Sequence, residues 1–428
     1  MRKGVRVAID FILAVVFGSV FIVLACFLRR KPVNAPRLVF GPTPLINNKY
    51  LSEALRSVGF KTKTLMKSFY SINKSSDFDQ YYKDFYLTRI ELLNKALAPY
   101  FAFFHVLLNY DIVHVSYDGG FLNRTPLKFV EFYFYKQAKI KVVLLPYGGD
   151  FHRYSQIQDL RWRHALMTHY PKAGMYESEV AKRVSFLNCH ADCVIMGQMI
   201  DGASRWDLLP MSYVSIDEKQ WVPKTVYSSH DGKTGKVRVI HTPNHRGVKG
   251  TEYIQKAVND LIKEGYQIEL MLMEGFPNDK VRRLMLEADI LVEQLVAPGY
   301  GLSAIEGMSS GLPVMSHISD PQISPLLRAY SYLDQCPIFS SNIDTIKDRL
   351  RSLVENPALR KELGVKGRQY VEKFHSALNT QIMFGKIYQK IWFNQNIDLI
   401  NYFHPLIGQY DSDYAAARAK QQELQGSC

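Results

Sequence analysis

Residues 237–251 read VRVIHTPNHRGVKGT and contain, in order, a short β-rich run, a basic turn and the start of a helix. The first five residues favour a buried strand. Beyond the turn, apolar residues recur on one helical face up to residue 262. A strand that leads directly into a helix is the unit of parallel α/β sheets, so this stretch predicts an α/β domain.

The same alternation of strands and helices runs through most of the chain. In the second half, strands are predicted at 237–241, 267–273, 289–295 and 312–316. In the first half, they are predicted at 37–41, 111–115, 141–145 and 192–196. We therefore expect an α/β protein with two Rossmann-like, doubly wound domains that face a cleft. Ligands of such sheets bind beyond the carboxyl ends of the strands.

The composition limits the class of protein. The chain has 428 residues, 47% of them hydrophobic and 22% charged, which suits two folded domains and excludes a disordered chain. Lys and Arg outnumber Asp and Glu by 53 to 40, and this excess favours anionic partners. Nucleic acid is not an expected partner, because no recognition motif accompanies the charge. The five cysteines are too scattered for a disulfide framework, which suits a reducing compartment.

The amino terminus carries an apolar run at residues 7–28 that is long enough, at about 33 Å of helix, to cross a bilayer. Basic residues flank the run on both sides, so charge does not decide its orientation. A cleaved signal peptide, or a lipoprotein cleavage site ending at Cys26, would be an alternative. We expect an uncleaved, single-pass membrane anchor over residues 1–32, with the catalytic domains on the cytoplasmic side.

The domain limits follow from changes in pattern. A first Rossmann-like domain is predicted at 33–212 and a second at 213–375, with the boundary just before a polar, turn-rich segment. A helix at 376–395 is expected to cross back to the first domain. The tail at 396–428 has no predicted role. An aromatic-rich region at 63–110 is expected to pack in the core, with docking on lipid as the alternative.

The turn after the strand at 237–241 has the features of a phosphate-binding site. It precedes a helix amino terminus, where unpaired N–H groups and the helix dipole favour an anion. Arg246 offers a planar donor fork, Lys249 a point charge, and Gly250 room for the backbone to approach a ligand. A solvated basic turn would account for the same residues, so the assignment needs support from elsewhere in the chain.

A second candidate site lies at 298–314, which reads PGYGLSAIEGMSSGLPV. It follows a predicted strand and opens a short helix, and its first two glycines leave room for a ligand beside the backbone. Glu306 lies one helical turn further, between apolar neighbours, where a carboxylate is costly unless it binds something. Paired ribose hydroxyls would suit it, and a surface glutamate or a capping partner is the alternative.

Together, these two segments resemble the donor domain of glycosyltransferase family 4, which has the GT-B fold. The resemblance makes the first domain the acceptor domain and the second the nucleotide-sugar donor domain. It implies that Arg246 and Lys249 bind the donor diphosphate and that Glu306 holds the nucleotide ribose. It further implies that the backbone of three residues faces the donor sugar and diphosphate, namely Gly301, Leu302 and Ser303.

The chain departs from the family pattern in its paired-glutamate motif. The position of the first glutamate, which the family uses to contact the donor sugar, is Pro298 here. Glu293 is a candidate substitute, although nothing in the sequence shows that it acts as one. The spacing of Arg246 and Lys249 is also shorter than the commonest form. These departures indicate a divergent branch, a different donor or reduced activity.

The first half carries a looser resemblance. His114 ends a stretch, Asp-Ile-Val-His, that is similar to the family strand whose histidine faces the donor sugar, and is a candidate catalytic residue; a core histidine is the equal alternative. Asp150, in a turn that resembles a cleft loop, is a candidate partner for a sugar hydroxyl. Three residues stand where the family has its first acceptor-side loop, namely Gly41, Pro42 and Thr43.

The resemblance implies a retaining transfer of a sugar from a nucleotide-diphosphate donor, with no metal and no cofactor beyond that co-substrate. Arg246, Lys249 and the helix terminus would stabilise the charge that develops on the leaving diphosphate. The predicted anchor makes a lipid-linked or polysaccharide acceptor, in cell-surface glycan synthesis, the expected partner. Two alternatives stay open: a catalytically degenerate sugar-nucleotide binder, suggested by Pro298, and a nucleotide-sugar epimerase of the same architecture.

Overall fold

The computed structural model describes the following parts of the chain: residues 2–195, 205, 207, 208, 213–318, 328 and 330–426. Two parallel β-sheets with helices packed against them form two α/β domains. The prediction of two doubly wound domains is therefore confirmed. The predicted boundary at residue 212 lies outside the described residues.

Six parallel strands form the first sheet: β1 (Arg37–Phe40), β2 (Lys61–Met66), β3 (Gln80–Tyr81), β4 (Ile112–Val115), β5 (Lys141–Leu144) and β6 (Cys193–Val194). Their order across the sheet is β3-β2-β1-β4-β5-β6. The helices of this half are α1 (Arg2–Phe27), α2 (Ile46–Arg56), α3 (Glu91–Asn109), α4 (Val130–Ala138), α5 (Leu160–His169), α6 (Pro171–Met175) and α7 (Glu177–His190). The central strands are almost wholly buried and apolar, as expected of a parallel sheet covered on both faces.

Five parallel strands form the second sheet: β7 (Val237–His241), β8 (Ile268–Leu272), β9 (Ile290–Gln294), β10 (Val314–Ser316) and β11 (Phe339–Ser340). The described helices between these strands are α8 (Arg246–Lys249), α9 (Thr251–Lys263), α10 (Asn278–Glu287) and α11 (Leu302–Ser309), and α12 (Ile346–Glu355) follows the last strand. The strand order is β11-β10-β9-β7-β8, so the winding reverses between β7 and β9. The turns that follow these two strands flank a topological switch point, where doubly wound sheets bind ligands.

The last helices join the two domains. The helix α13 (Pro357–Phe374) packs on the second domain, and α14 (Ala377–Ile391) begins at Ser376, whose hydroxyl caps it. From α14, Gln381 Nε2 donates to Ala54 O at 3.1 Å, so this helix lies against the first domain. The final helix, α15 (Tyr410–Gly426), returns to α13, where the Tyr410 and Phe374 rings are 5.6 Å apart.

The two connections between the domains lie side by side. The Ile216 N–H donates to His375 O at 2.9 Å, and the His375 ring nitrogen Nδ1 lies 2.8 Å from Val214 O. The Thr380 hydroxyl lies 3.0 Å from the Ser215 hydroxyl. The chain segment that leaves the first domain is therefore hydrogen-bonded to the segment that returns to it.

The amino-terminal helix α1 contains a 21-residue apolar segment, Val7–Phe27, with a mean hydropathy of 2.7. By length and composition it could cross a membrane. Its inner side packs on the first domain, where Phe21 and Ala25 are fully buried. Tyr100 and Phe103 of the aromatic-rich region are buried beneath it, which confirms that these rings pack in the core.

Candidate functional site

The turn after β7 carries the predicted phosphate-binding residues. It contains a short helix, α8, that the sequence did not predict, and Gly250 takes a φ of 78° before α9 begins at Thr251. Glycine suits this left-handed conformation, and a Cβ there would also lie 3.1 Å from Leu295 Cβ. His241, at the end of β7, bonds to Val292 O at 2.7 Å and to Thr251 Oγ1 at 2.9 Å. These contacts fix the turn against β9.

Lys249 is directed inward, toward the end of β9. Its ammonium donates to Gln294 Oε1 at 2.7 Å and forms an ion pair with the Glu293 carboxylate. Glu293 is fully buried and accepts hydrogen bonds from Ser316 Oγ at 3.0 Å and from Ser303 Oγ at 3.2 Å. Because a buried carboxylate requires a counter-charge and hydrogen bonds, these partners account for its burial.

The glycine loop before α11 lies against this ion pair. Gly301 is the N-cap of α11, and a Cβ at that position would lie 3.3 Å from Glu293 Oε1 and 3.6 Å from Lys249 Nζ. The backbone N–H groups that follow, of Leu302 and Ser303, belong to the first turn of α11 and carry the positive end of its dipole. The structure thus brings Lys249 together with the three predicted donor-facing residues.

Glu306 lies one turn into α11 and is buried. Burial and, to a smaller extent, the nearby Glu293 carboxylate raise the pKa of Glu306 to about 8. The protonated form therefore predominates at neutral pH. Burial and the charge of Glu306 also raise the pKa of Tyr50, which lies on α2 of the first domain. Glu306 is therefore close to the surface where the two domains meet. A protonated carboxyl can both donate to and accept from a pair of hydroxyls.

Arg246 has a different set of partners. Its guanidinium is 41% exposed and pairs with Glu252 and Glu274 at 2.8 Å each, and it donates to Gln255 Oε1 at 3.0 Å. Hydrogen bonds to the two glutamates raise the pKa of Arg246. Lys249 contacts the Glu293 carboxylate, whereas Arg246 does not. A ligand anion would have to displace Glu252 or Glu274 to bind it.

The predicted acceptor-side loop lies at the carboxyl edge of the first sheet. Gly41 and Pro42 directly follow β1, and the Gly41 N–H donates to His114 O at 3.1 Å. The buried Thr43 hydroxyl lies 3.0 Å from Ser116 Oγ, which follows β4. The loop after β1 is thus held against the loop after β4, on the edge where a ligand of this sheet would bind.

Asp150 is buried and joins two loops of the first domain. One carboxylate oxygen accepts from the Tyr117 N–H at 2.8 Å, and the other accepts from Tyr147 N–H at 3.0 Å and Gly148 N–H at 3.2 Å. Burial and, to a smaller extent, the charge of Asp118 raise the pKa of Asp150 to about 7. In this structure the carboxyl therefore holds the loops after β4 and β5 together.

His114 lies in the core between the first sheet and α14. Its ring stacks on Phe40 with centroids 4.0 Å apart. Its nitrogens Nδ1 and Nε2 lie 3.1 Å from Val39 O and 2.9 Å from Tyr388 Oη. Burial lowers the pKa of His114 to about 3, so the ring is neutral. These contacts match the core alternative that the sequence left open, and they are separate from those of Lys249.

Part of the first domain covers the turn that holds Lys249. A methyl group added at Gly247 would overlap the His169 ring, at the end of α5, and the Tyr170 and His245 rings are 4.5 Å apart. Trp162 packs in one apolar cluster with the loop after β9. No local pattern in the sequence marks these contacts, because the partners are distant along the chain.

The first domain also contains an Asp-x-Asp sequence at residues 77–79, a pattern that could hold a divalent ion. Asp77 pairs with Lys49 at 2.9 Å, and Asp79 pairs with Arg56 at 2.9 Å while accepting from the Thr64 N–H. Both carboxylates therefore join α2 to the edge of the first sheet. Within the described parts of the chain, no group of three or more His, Cys, Asp or Glu side chains is placed to hold a metal ion.

Comparison with known proteins gives one short match in sequence. An uncharacterized glycosyltransferase of Methanocaldococcus jannaschii is 28% identical over 121 residues, which are 28% of this chain and 33% of that protein. The match thus spans about a third of the length of this relative. No family profile matches the chain.

The solved structures give a longer match, in fold. Sucrose-phosphate synthase from Thermosynechococcus elongatus matches with a TM-score of 0.54 and 14% identity, over 85% of this chain and all of that one. The catalytic domain of starch synthase IV from Arabidopsis thaliana matches with a TM-score of 0.48 and 10% identity, over 90% and 100% of the two chains. The two facing, parallel-sheet domains have the GT-B fold of glycosyltransferases.

Proposed function

We propose that the chain is a glycosyltransferase that moves a sugar from a nucleotide-diphosphate donor to a lipid-linked or polysaccharide acceptor, on the cytoplasmic side of a membrane. One observation carries the proposal: Lys249, Glu293, Gly301 and Glu306 converge at the switch point of the second sheet. Doubly wound sheets bind nucleotides at such points. The glycosyltransferases among its matches in sequence and fold support the same reading.

Lys249 is assigned to the donor diphosphate. Its ammonium lies beside the Gly301 loop, where the amino end of α11 adds positive partial charge. Negative charge grows on the diphosphate as its bond to the sugar breaks. These groups then stabilise the transition state more than the ground state, which accelerates the reaction. The proposed reaction retains the configuration of the sugar and needs no metal ion, as the family resemblance implies.

Glu306 is assigned to the nucleotide ribose, as partner of its two hydroxyls. Arg246 is assigned a supporting role in the field around the diphosphate, because its present partners are two exposed glutamates. Glu293 is proposed to replace the carboxylate that is missing at Pro298. Gln294 Nε2 donates to Pro298 O at 3.2 Å, which ties the Pro298 loop to the strand end that carries Glu293.

A second candidate function is the binding of a sugar nucleotide without turnover. Pro298 motivates it, together with the complete burial of Glu293 beneath Lys249. Turnover separates the two candidates, since only a transferase moves labelled sugar from a bound donor to an acceptor. Conversion of the free sugar nucleotide without any acceptor would instead indicate an epimerase.

The first test is thermal stabilisation of the full chain in detergent by a panel of nucleotide diphosphates and their sugars. A ligand at 100 times its Kd is expected to add about 2.7 kcal/mol to the free energy of unfolding. Lys249→Ala should abolish the shift, while Glu306→Ala should weaken it. Lys256→Ala, which removes an exposed lysine on α9, should leave it unchanged. If well-folded protein responds to no nucleotide, the donor assignment is wrong.

The second test concerns the acceptor. The donor found in the first test is incubated, with its sugar labelled, with the full chain and with membrane extracts or soluble glycans. Label is expected in the lipid-linked or polysaccharide fraction, and chelation of divalent ions should not stop the transfer. Transfer to soluble small molecules only would contradict the proposed acceptor class.

A further inference from the structure

The amino-terminal helix α1 is packed along the side of the first domain. The Phe17 ring stacks on Tyr100 of α3, with centroids 4.7 Å apart. One turn later, Phe21 meets Phe103 of α3 at 4.8 Å and Phe134 of α4 at 5.8 Å. The helix thus lies in the groove between α3 and α4, and its inner side forms part of the hydrophobic core of the domain.

The chain that follows α1 is fixed as well. The Arg30 N–H donates to Ala138 O, the last residue of α4, at 2.9 Å, and the Arg30 guanidinium lies 3.4 Å from Asp111. Further along, Trp392 Nε1 donates to Val33 O at 3.1 Å. The connection from α1 to β1 is therefore held by the domain. A tether that lets the domain stand away from its helix would lack such bonds.

The direction of α1 follows from these contacts. Phe17 meets Tyr100, whereas Arg30, further along, bonds to Leu107 O, so α1 and α3 run in the same direction. A helix that leads into a parallel strand runs opposite to that strand, so α3 begins at the cleft edge of the sheet. The amino end of α1 therefore lies toward the cleft edge. If α1 lies in the surface of a membrane along its whole length, the membrane also contacts α3 and α4.

Exposed apolar side chains lie on the outward side of α1 and around the start of α3. On α1, large apolar side chains face outward, among them Phe11, Ile12, Val16, Val23 and Phe27. Leu87 and Ile90, just before α3, and Leu92, in its first turn, are also exposed, Leu92 by 73%. So many exposed apolar side chains on two adjacent helices are unfavourable in water and indicate that something covers them.

The charges around this surface indicate which occupant covers it. Exposed basic residues lie beside α1, α3 and α4, among them Arg29, Arg89, Lys128, Lys136 and Lys139. Glu91 and Lys95 of α3 form an exposed ion pair, so this pair adds no net charge. A second copy docked through the same face would bring like charges together. Anionic phospholipid headgroups would instead neutralise them.

We propose that this face is a docking surface for an anionic phospholipid bilayer, with α1 lying along the interface and the start of α3 in contact with lipid. The apolar side of α1 sinks toward the acyl chains while the neighbouring lysines and arginines meet phosphate groups. This placement differs from the single-pass anchor that the sequence predicts. It does not depend on the reaction proposed above, so either proposal can fail without the other.

The test uses the full chain bound to vesicles of phosphatidylcholine and phosphatidylglycerol. With the accessible native cysteines replaced, single cysteines are introduced as Phe11→Cys, Leu92→Cys and Val226→Cys and labelled with a polarity-sensitive fluorophore. The labels at 11 and 92 are both expected to shift to the blue and to be quenched by lipids that carry nitroxides on their acyl chains. Val226 is 77% exposed and lies before the second sheet, so its label should stay water-like.

Three outcomes would overturn the proposal. If the label at 92 stays water-like while the label at 11 is quenched, α1 is a tether that stands away from the domain. If the label at 92 is shielded without lipid quenching and the chain sediments as a dimer, a second copy covers the face. If binding and quenching are the same in pure phosphatidylcholine, the basic rim does not select anionic lipid.

Discussion

Lys249 and Glu293 form a buried ion pair at the switch point of the second sheet. Lys249 comes from the short helix after β7 and Glu293 from the end of β9, so the pair joins the two turns that flank the switch. The ammonium stabilises the buried carboxylate in the free protein. A diphosphate that binds Lys249 would compete with that carboxylate, so the pair links the stability of the fold to the binding of the donor.

Replacing the carboxylate of this pair should destabilise the protein. Glu293→Gln is expected to lower the free energy of unfolding by about 3 kcal/mol, because it leaves the Lys249 ammonium without its counter-charge. Saturating nucleotide diphosphate should restore part of the loss. Urea unfolding of the full chain measures both. Asp260→Asn, which breaks an exposed pair on α9, should cost much less, because solvent screens that pair. Equal losses in the two variants would contradict the assignment.

Glu306 should make stability fall as the pH rises. Its pKa is about 8 in the folded protein against an ordinary value of 4.5, so between these values the folded chain holds a proton that the unfolded chain has lost. Its contribution is therefore complete below about pH 4.5 and lost as the pH rises through 8. Glu306→Gln mimics the protonated form and should flatten this part of the profile. Denaturation at pH 5 and pH 8 measures the difference, and parallel profiles for the two proteins would refute the shift.

The contact between Gly247 and His169 should be sensitive to a single methyl group. Gly247→Ala is expected to cost about 0.5–1.5 kcal/mol of stability, because its Cβ would overlap the exposed His169 ring, which must leave its present rotamer to make room. His169→Ala removes the ring, so the double variant should recover most of the loss. Thermal unfolding of the four proteins gives the coupling between the two sites. Additive effects would mean that the two residues are not in contact.

Tyr388→Phe tests the role of His114. It removes the hydroxyl that bonds to the buried Nε2 of His114, and an unsatisfied buried nitrogen costs about 1–3 kcal/mol. If His114 is a core residue, stability should fall while the affinity for the donor nucleotide and the rate at saturating donor are retained. A large loss of rate in folded protein would instead indicate that His114 takes part in catalysis.

The sequence was sufficient for much of the second domain, because its signals are local. The predicted strands at 237–241 and 289–295 occur as Val237–His241 and Ile290–Gln294. The position of Lys249 beside Gly301 follows from the topology, since adjacent strands place their following turns side by side.

The remaining features depend on contacts that local patterns do not contain. Arg246 was expected to bind the diphosphate with Lys249, but the pairing of its side chain depends on Glu252 and Glu274, which the turn does not specify. His169 covers the turn at Gly247, and these two residues are far apart along the chain. The apolar run at the amino terminus predicted a helix, but not that one side of it would pack on the first domain.

The paired connections between the domains limit how the cleft can change shape. Ile216 and His375 are hydrogen-bonded where the chain leaves the first domain and returns to it, so the two crossings are joined to each other. A displacement of one domain that separates the crossings would break this bond, whereas a displacement that carries both crossings together would keep it. We therefore expect the two crossings to move as one unit in any opening of the cleft.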